Sequence, residues 1–494
     1  MRRREPLVPV LLATALLLLQ LVMELLGASL DLTADRRHSL SRATTDIIEG
    51  LEHPITVTYY VSDELTNRYP EPGRITDLLR SYERAGGAVR VRVDSVDSAE
   101  VDSLGLPVAP QQISESEGDE QRVLTVYSGI VVEYLDRQES IPFVFDSRDL
   151  EYRLTTLVRR VARDSLPVIG ILSADPAPFD DSTLFLGELQ ALFDLVALRP
   201  GEPIAPMIAA VVAPDAHRLG EAALDELAHY ARGGGSILLM AEAATIALDG
   251  TLSVRTENLG VLNGTLEEFG VRVGSELLLD PSSNSLPVQV PGESSPVNQL
   301  VPYPLWPAIS ARTVSESHPL TTRFPGLDLY WAAPVRPLLG HPADPRPLVA
   351  SSSSAWLMTG ALSADPNDPV LENPDPRTIG QYPVVTQSGA GASGRIIVVG
   401  DGDLARDVLI DATASYYNVD FLVQAVQYLA NEDALLDLRS RSVRDLSLSG
   451  VEDPEAEHAL ERFAVVMSTL VVPTSALIIG GVIVFTRSRR RRAS

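Results

Sequence analysis

The chain has 494 residues, 45% of them hydrophobic, and its 66 acidic residues against 40 basic ones give a net charge of −26. It contains no cysteine, and every basic residue other than histidine is arginine. These absences exclude disulfides, thiol nucleophiles, thiolate metal sites, Schiff-base chemistry and a Walker A phosphate loop, and the acidic balance argues against nucleic-acid binding.

Arg2, Arg3 and Arg4 precede an apolar stretch, 6–30, that is long enough to cross a bilayer. Gly27-Ala28-Ser29 supplies the competing reading, a signal-peptide cleavage site. Near the other end, 464–486 is charge-free and is followed by Arg487, Arg489, Arg490, Arg491 and Arg492. The positive-inside rule keeps both arginine clusters, within 1–5 and 487–494, in the cytoplasm. The expectation is two transmembrane helices in the cell membrane, bracketing a large acidic extracytoplasmic region. In the second span Gly480 and Gly481, with Ser475 and Ala476, offer a close-approach surface for a partner helix.

Beyond the first span, His38 beside Arg36 and Arg37 reads as a solvated side chain. A short helix to Leu51 is expected, with Ser41 as N-cap. Ile55 to Val61 alternates like a strand, Ile75 to Arg84 like a helix, and Val89 to Asp94 like a half-buried strand. Asp97 to Gln121 reads as an acidic, turn-rich stretch. Val123–Tyr134 and Glu139–Phe145 read as a hairpin across Asp136-Arg137-Gln138, and Leu150–Ala162 as a helix. This β-α-β unit, hairpin and helix, residues 31–165, resembles a thioredoxin-like arrangement. Without cysteine it serves as a scaffold.

A second domain is expected over 166–435. Val168–Leu172, Met207–Ala213 and Ser236–Met240 read as buried strands, Leu184–Phe193 and Glu221–Ala231 as helices, which signals an α/β fold with a doubly wound parallel sheet. Gly233-Gly234-Gly235 follows a helix and enters a strand, the reverse of a dinucleotide loop, so it reads as a helix C-cap. His217 and His229 lack a metal-ligand spacing. Residues 241–392 read as a loop-rich insertion. It holds a helix-strand piece at Leu262–Leu279, proline-rich loops at Pro281–Pro307 and Pro366–Pro383, and the run Ser351–Ser354.

Gly394 to Asp403 is the stretch around which this domain is organised. Ile396 to Val399 reads as a strand buried on both faces, and Asp401 and Asp403 follow on a glycine turn at its carboxyl end, where open α/β sheets form ligand crevices. Val419 to Ala430 reads as the covering helix with Asn418 as N-cap. Three readings stand for Asp401 and Asp403: turn and cap chemistry, a ligand or metal site, or a partner-docking loop that also involves Asn418. No cofactor and no resident metal is called for. Residues 436–463 read as a juxtamembrane linker.

In this order the segments resemble the GldG family of auxiliary, membrane-anchored components of ABC-type transport systems, one of them linked to gliding motility. The resemblance rests on Arg37-His38-Ser39-Leu40-Ser41, Tyr82 with Val93-Asp94, and Glu151-Tyr152-Arg153-Leu154-Thr155. It continues through Gly233-Gly234-Gly235-Ser236-Ile237-Leu238, Gly394 to Asp403, Asn418 and Leu438-Arg439-Ser440-Arg441. The family often carries Ser at the place of Gly402 and an aromatic at that of Leu404. The resemblance implies a thioredoxin-like domain followed by a glutamine-amidotransferase-like domain, outside the cytoplasm, beside a separate permease and ATPase. The expected function is therefore a non-enzymatic accessory subunit. A carbohydrate- or polymer-binding or adhesive ectodomain is the first alternative, and a metal-dependent hydrolase built on Asp401 and Asp403 the second. An amidotransferase-type cysteine nucleophile cannot exist here, and no Gly-x-Ser-x-Gly elbow is present.

Overall fold

The computed structural model describes residues 40–432, apart from 118–119, 148, 164, 250, 291–296, 316–317, 323, 325 and 391–393. Both expected spans, the arginine clusters, His38, the linker 436–463, and Gly480 and Gly481 lie outside the described residues. Among the described residues no helix is long and apolar enough to cross a membrane.

The strand patterns at 55–61 and 89–95 produce the first sheet. Ser41 accepts from the Thr44 N–H and so starts α1 (Arg42–Glu49), as the sequence predicts. Strand β1 (Ile55–Val61) is followed by α2 (Asp63–Arg68), α3 (Glu71–Ala85) and β2 (Val89–Ser95), which pairs parallel with β1. The stretch expected to be turn-rich instead holds α4 (Ser98–Leu104) and β3 (Pro110–Glu117). Helix α4 is started by a reciprocal capping box between Asp97 and Glu100, a three-residue spacing that the acidic composition masks.

The hairpin of β4 (Glu120–Tyr134) and β5 (Arg137–Ile141) turns over Leu135 and Asp136, one residue earlier than expected. Leu135 takes a left-handed φ of 56°, which fits a two-residue turn, and Arg137 closes the register by lying 5.7 Å over the Tyr134 ring. The five strands run β2-β1-β4-β3, with β5 on β4. Helix α5 (Leu150–Ala162) covers the main face with Leu154, Val158 and Val161 fully buried. A small second core around Val101, Val108, Tyr127 and Val131 lies in a separate cluster.

After Pro167 the pattern changes to short, wholly apolar strands. Strands β6 (Val168–Leu172), β7 (Asp194–Leu198), β8 (Ala210–Ala213) and β9 (Ile237–Met240) are mutually parallel, linked through α6 (Thr183–Leu192) and α7 (Glu221–Arg232). Gly233 and Gly234, the latter at φ 95°, end α7 as the C-cap reading expects.

The insertion is far less loop-like than its composition. It contains β10 (Ala244–Ile246) paired with β11 (Val254–Thr256), α8 (Gly260–Glu267), β12 (Val271–Val273) and β13 (Leu277–Leu279). The proline-rich stretch is a long hairpin, β14 (Ser283–Val290) and β15 (Val297–Ile309), flanked by β16 (Leu327–Asp328). Proline is expected to break strands. Here Pro302 and Pro304 stand at outward register positions while Tyr303 and Leu305, alternating with them, are buried. Strand β17 (Val335–Pro337) pairs with β12, β19 (Trp356–Met358) with β13, and β18 (Arg346–Ala350) with β20 (Pro383–Ala390).

Strand β21 (Gly394–Val399) joins this sheet as a later strand, as expected, and lies between β20 and β9. The full order is β18-β20-β21-β9-β8-β6-β7. The doubly wound expectation holds for five parallel strands, but β20 runs antiparallel to both neighbours. The three residues between β20 and β21 permit only that direction, since a parallel crossover needs a dozen or more. Helices α9 (Asp407–Thr413) and α10 (Tyr417–Leu429) complete the chain. One core lies on the α7 face and another on the face covered by α6 and α10, so β8, β9 and β21 are buried on both sides.

Candidate functional site

At the carboxyl end of β21 the chain must turn where another segment crosses it. A Cβ on Gly400 would stand 2.0 Å from the Ala333 carbonyl, and the Ala333 N–H donates to the Gly400 carbonyl at 2.7 Å. Only glycine permits that approach. Asp401 then points inward and is fully buried. Its Oδ1 accepts from the Asp403 N–H at 2.8 Å, an Asx turn, and its Oδ2 accepts from the Tyr330 N–H at 2.6 Å. The carboxyl thus ties its own turn to the strand segment entering from the insertion.

Asp403, also buried, accepts from Arg406 Nη1 at 3.2 Å, and Arg406 Nη2 donates to Asp181 at 2.9 Å. Asp407 accepts from the Thr183 N–H at 2.8 Å and the Leu184 N–H at 3.2 Å. It caps α6 from another part of the chain, a job that Ser182, the residue preceding that helix, does not perform. Four loops at the carboxyl ends of β6, β8, β9 and β21 meet here. His217 comes from the second of these and Glu242 from the third; His217 Nε2 stands 3.2 Å from Glu242 Oε1, close but misaligned, so neither ring nitrogen makes a hydrogen bond. A Cβ on Gly402 would lie 3.2 Å from Glu242 Oε2.

Burial, the Asp403 charge and, more weakly, Glu242 hold the Asp401 carboxyl well above the usual carboxylate range, against the two N–H donors. Burial and Glu242 push Asp403 up to about 7, with Arg406 and His217 working the other way. The cluster can therefore hold a proton near neutral pH. Among the described residues, no group of three or more His, Asp or Glu side chains is arranged to hold a metal.

Asn418 is not the cap of α10. It lies in that helix's first turn, fully buried, and reads a backbone: Oδ1 accepts from the Asp328 N–H at 3.0 Å, and Nδ2 donates to the Asp328 carbonyl at 2.8 Å. A longer contact, 3.4 Å, reaches the Leu404 carbonyl and joins Asn418 to the Asp401 turn. The structure thus brings Asp401, Asp403 and Asn418 into one neighbourhood. Glu242, His217, Arg406 and Asp407 were missed. For Arg406 and Asp407, closeness in sequence to Asp403 was the available signal, and for the other two only the fold supplies it.

A second network explains residues scattered through the first region. Glu151 accepts from the Ser41 N–H at 2.7 Å and the Thr44 hydroxyl at 2.8 Å, while the Tyr82 hydroxyl lies 2.6 Å from Thr155. Ser41, Tyr82, Glu151 and Thr155 converge although they are up to 114 positions apart. The serine run resolves similarly, because Ser352 donates through its N–H and its hydroxyl to the buried Asp280.

The family described as an ABC-type uncharacterized transport system, auxiliary component, matches residues 166–425, and a domain of unknown function, DUF7088, matches 34–133. An uncharacterized protein of Borreliella burgdorferi is 21% identical over 493 residues, covering 93% of each chain. Among solved structures, a ThuA-like protein from Bacteroides uniformis is 14% identical, covers 54% of this chain and 93% of its own, and superposes with a TM-score of 0.31. A β-galactosidase from Halorubrum lacusprofundi, 17% identical, covers 53% and 34% with a TM-score of 0.24.

Proposed function

The chain belongs to the family of ABC-type uncharacterized transport system auxiliary components, and on that premise we propose that it is a non-enzymatic, membrane-anchored subunit whose two domains work outside the cytoplasm beside a separate permease and ATPase. The family match over the whole seven-stranded-sheet region carries this reading. Composition supports it: a chain without lysine cannot supply the Walker A loop, so ATP must be spent by another subunit. In this reading the first region is a thioredoxin-like scaffold, the second an amidotransferase-like domain without its nucleophile, and GldG a functional relation. The carboxyl cluster at β21 then shapes a loop platform and performs no chemistry.

Purification from native membranes in mild detergent tests it. A multi-span permease and an ATPase should co-elute with this chain, and Gly480→Leu with Gly481→Leu should weaken that association while leaving the ectodomain folded. Cross-linked membranes that yield the chain without an ATPase neighbour would defeat the proposal.

A further inference from the structure

The two regions do not share a core. No apolar cluster of buried residues among those described contains members from both sides of Pro167. What meets at the seam is a polar cluster beside an apolar patch of Leu166, Pro167, Ala191, Leu192 and Phe193. Helix α5 turns Thr156, Arg159 and Arg163 towards the end of α10, where Gln427 and Glu432 face them. The Glu432 carboxylate, about nine-tenths buried, pairs with Arg163 at 2.9 Å and with Arg159. Burial and the neighbouring Arg163 push the Arg159 guanidinium down to about 10.

Between these side chains lies a cavity of about 20 Å³. Thr156 Oγ1, Arg159 Nη1 and Gln427 Oε1 are buried there without a hydrogen-bond partner, while Arg159 touches Glu432 Oε2 through its other nitrogen. A water needs roughly 10–15 Å³ of such space and two to four polar partners. The donor and acceptor types of this set match one water: Arg159 and the Thr156 hydroxyl donate, and Gln427 accepts. A wider cleft of about 430 Å³, open to solvent, shares Arg160, Arg163 and Leu166 with the cavity and gives the water a route in.

We propose that a structural water occupies this cavity and that the hydrated Arg159–Glu432–Arg163 cluster is a latch, holding the first region against the second and opening about the link 165–167. Opening exchanges ion pairs and hydrogen bonds for contacts with bulk water and uncovers no shared apolar core, so it is separable from unfolding. The inference is independent of the transport reading.

The absence of native cysteine makes the test direct. Arg80→Cys and Asp225→Cys place single spin labels on exposed positions of α3 and α7, one in each region. Distance distributions on the full chain should show one narrow population. Adding Glu432→Gln should raise a second, displaced population from below about a tenth to about half. Amides of β9 and β21 should keep their hydrogen-exchange protection in that variant. A single unchanged population overturns the latch, and so does loss of β9 and β21 protection, because Glu432 would then belong to the core. A high-resolution crystal structure should show one ordered water bonded to Arg159 and Gln427. A direct bond between those two side chains would remove the water from the proposal.

Discussion

At the carboxyl end of β21, both oxygens of Asp401 accept backbone N–H groups and the Asn418 amide bonds on both its atoms. At the seam beside α5, Thr156, Arg159 and Gln427 leave three buried atoms over. The first network lies within one domain and joins loops that must be stationary for the sheet to close. The second lies where two separate cores abut. A satisfied network is worth more than its parts and fixes one geometry, whereas an under-satisfied one needs water and gives way at lower cost. His217 leaves both ring nitrogens over beside the first network, so the contrast lies between the Asp401 and Asn418 bonds and the seam, not between whole regions.

Asp401→Ala probes the locked side and has the largest expected effect. It leaves the Tyr330 and Asp403 N–H groups unpaired in a dry environment, at roughly 1–3 kcal/mol each, so stability should fall by about 3 kcal/mol. Denaturant unfolding of the two proteins side by side measures it. A loss below about 1 kcal/mol would mean that water reaches the turn and that the contrast with the seam is false.

Next in size is a pH effect. Asp403 titrates near 7 in the folded chain against 3.8 in its absence, so between these values the folded state holds a proton that the unfolded state has released. Stability contributed by the protonated form is present below about pH 4 and is lost as pH rises towards 7. The decline should be on the order of a few kcal/mol, shared with Asp401, and Asp403→Asn should flatten it. A wild-type curve that rises over this range would reverse the sign of the argument.

Glu432→Gln should cost only about 1 kcal/mol of global stability, because Arg163 is 37% exposed and can rehydrate. Calorimetry showing a loss above about 3 kcal/mol would place the seam with the locked network.

How far these two sites were legible follows from the range of the interactions. The helix at 150–162, the strand at 394–399 and the Asp401 turn rest on local patterns, and all were read from the sequence. The capping box at Asp97 was local too, but its acidic surroundings disguised it. The β14–β15 hairpin was missed because proline is judged by its own donor loss, while its neighbours Tyr303 and Leu305 decide the burial. Asn418 illustrates a further limit. An asparagine before an apolar helical run reads as a cap, yet its partner is Asp328, 90 positions away. The seam was invisible, because Glu432 and Arg163 stand 269 positions apart.

Gly402→Ala carries the smallest expected effect and sharpens the comparison most finely. Gly402 has no left-handed φ, unlike Gly234, so alanine meets no backbone strain there. Replacing glycine removes freedom from the unfolded chain, a gain of roughly 0.4–1 kcal/mol. Against this, the new Cβ stands 3.2 Å from Glu242 Oε2, so the carboxylate must shift by a few tenths of an ångström. Glu242 is the end of a flexible side chain, held by the Thr245 hydroxyl at 2.7 Å, and it can yield where the Ala333 carbonyl at Gly400 cannot. The two terms should cancel to within about 0.5 kcal/mol, read as an unchanged denaturation midpoint. A loss above about 2 kcal/mol would show that Glu242 is as immovable as the backbone, extending the locked network from Asp401 through Gly402 to His217.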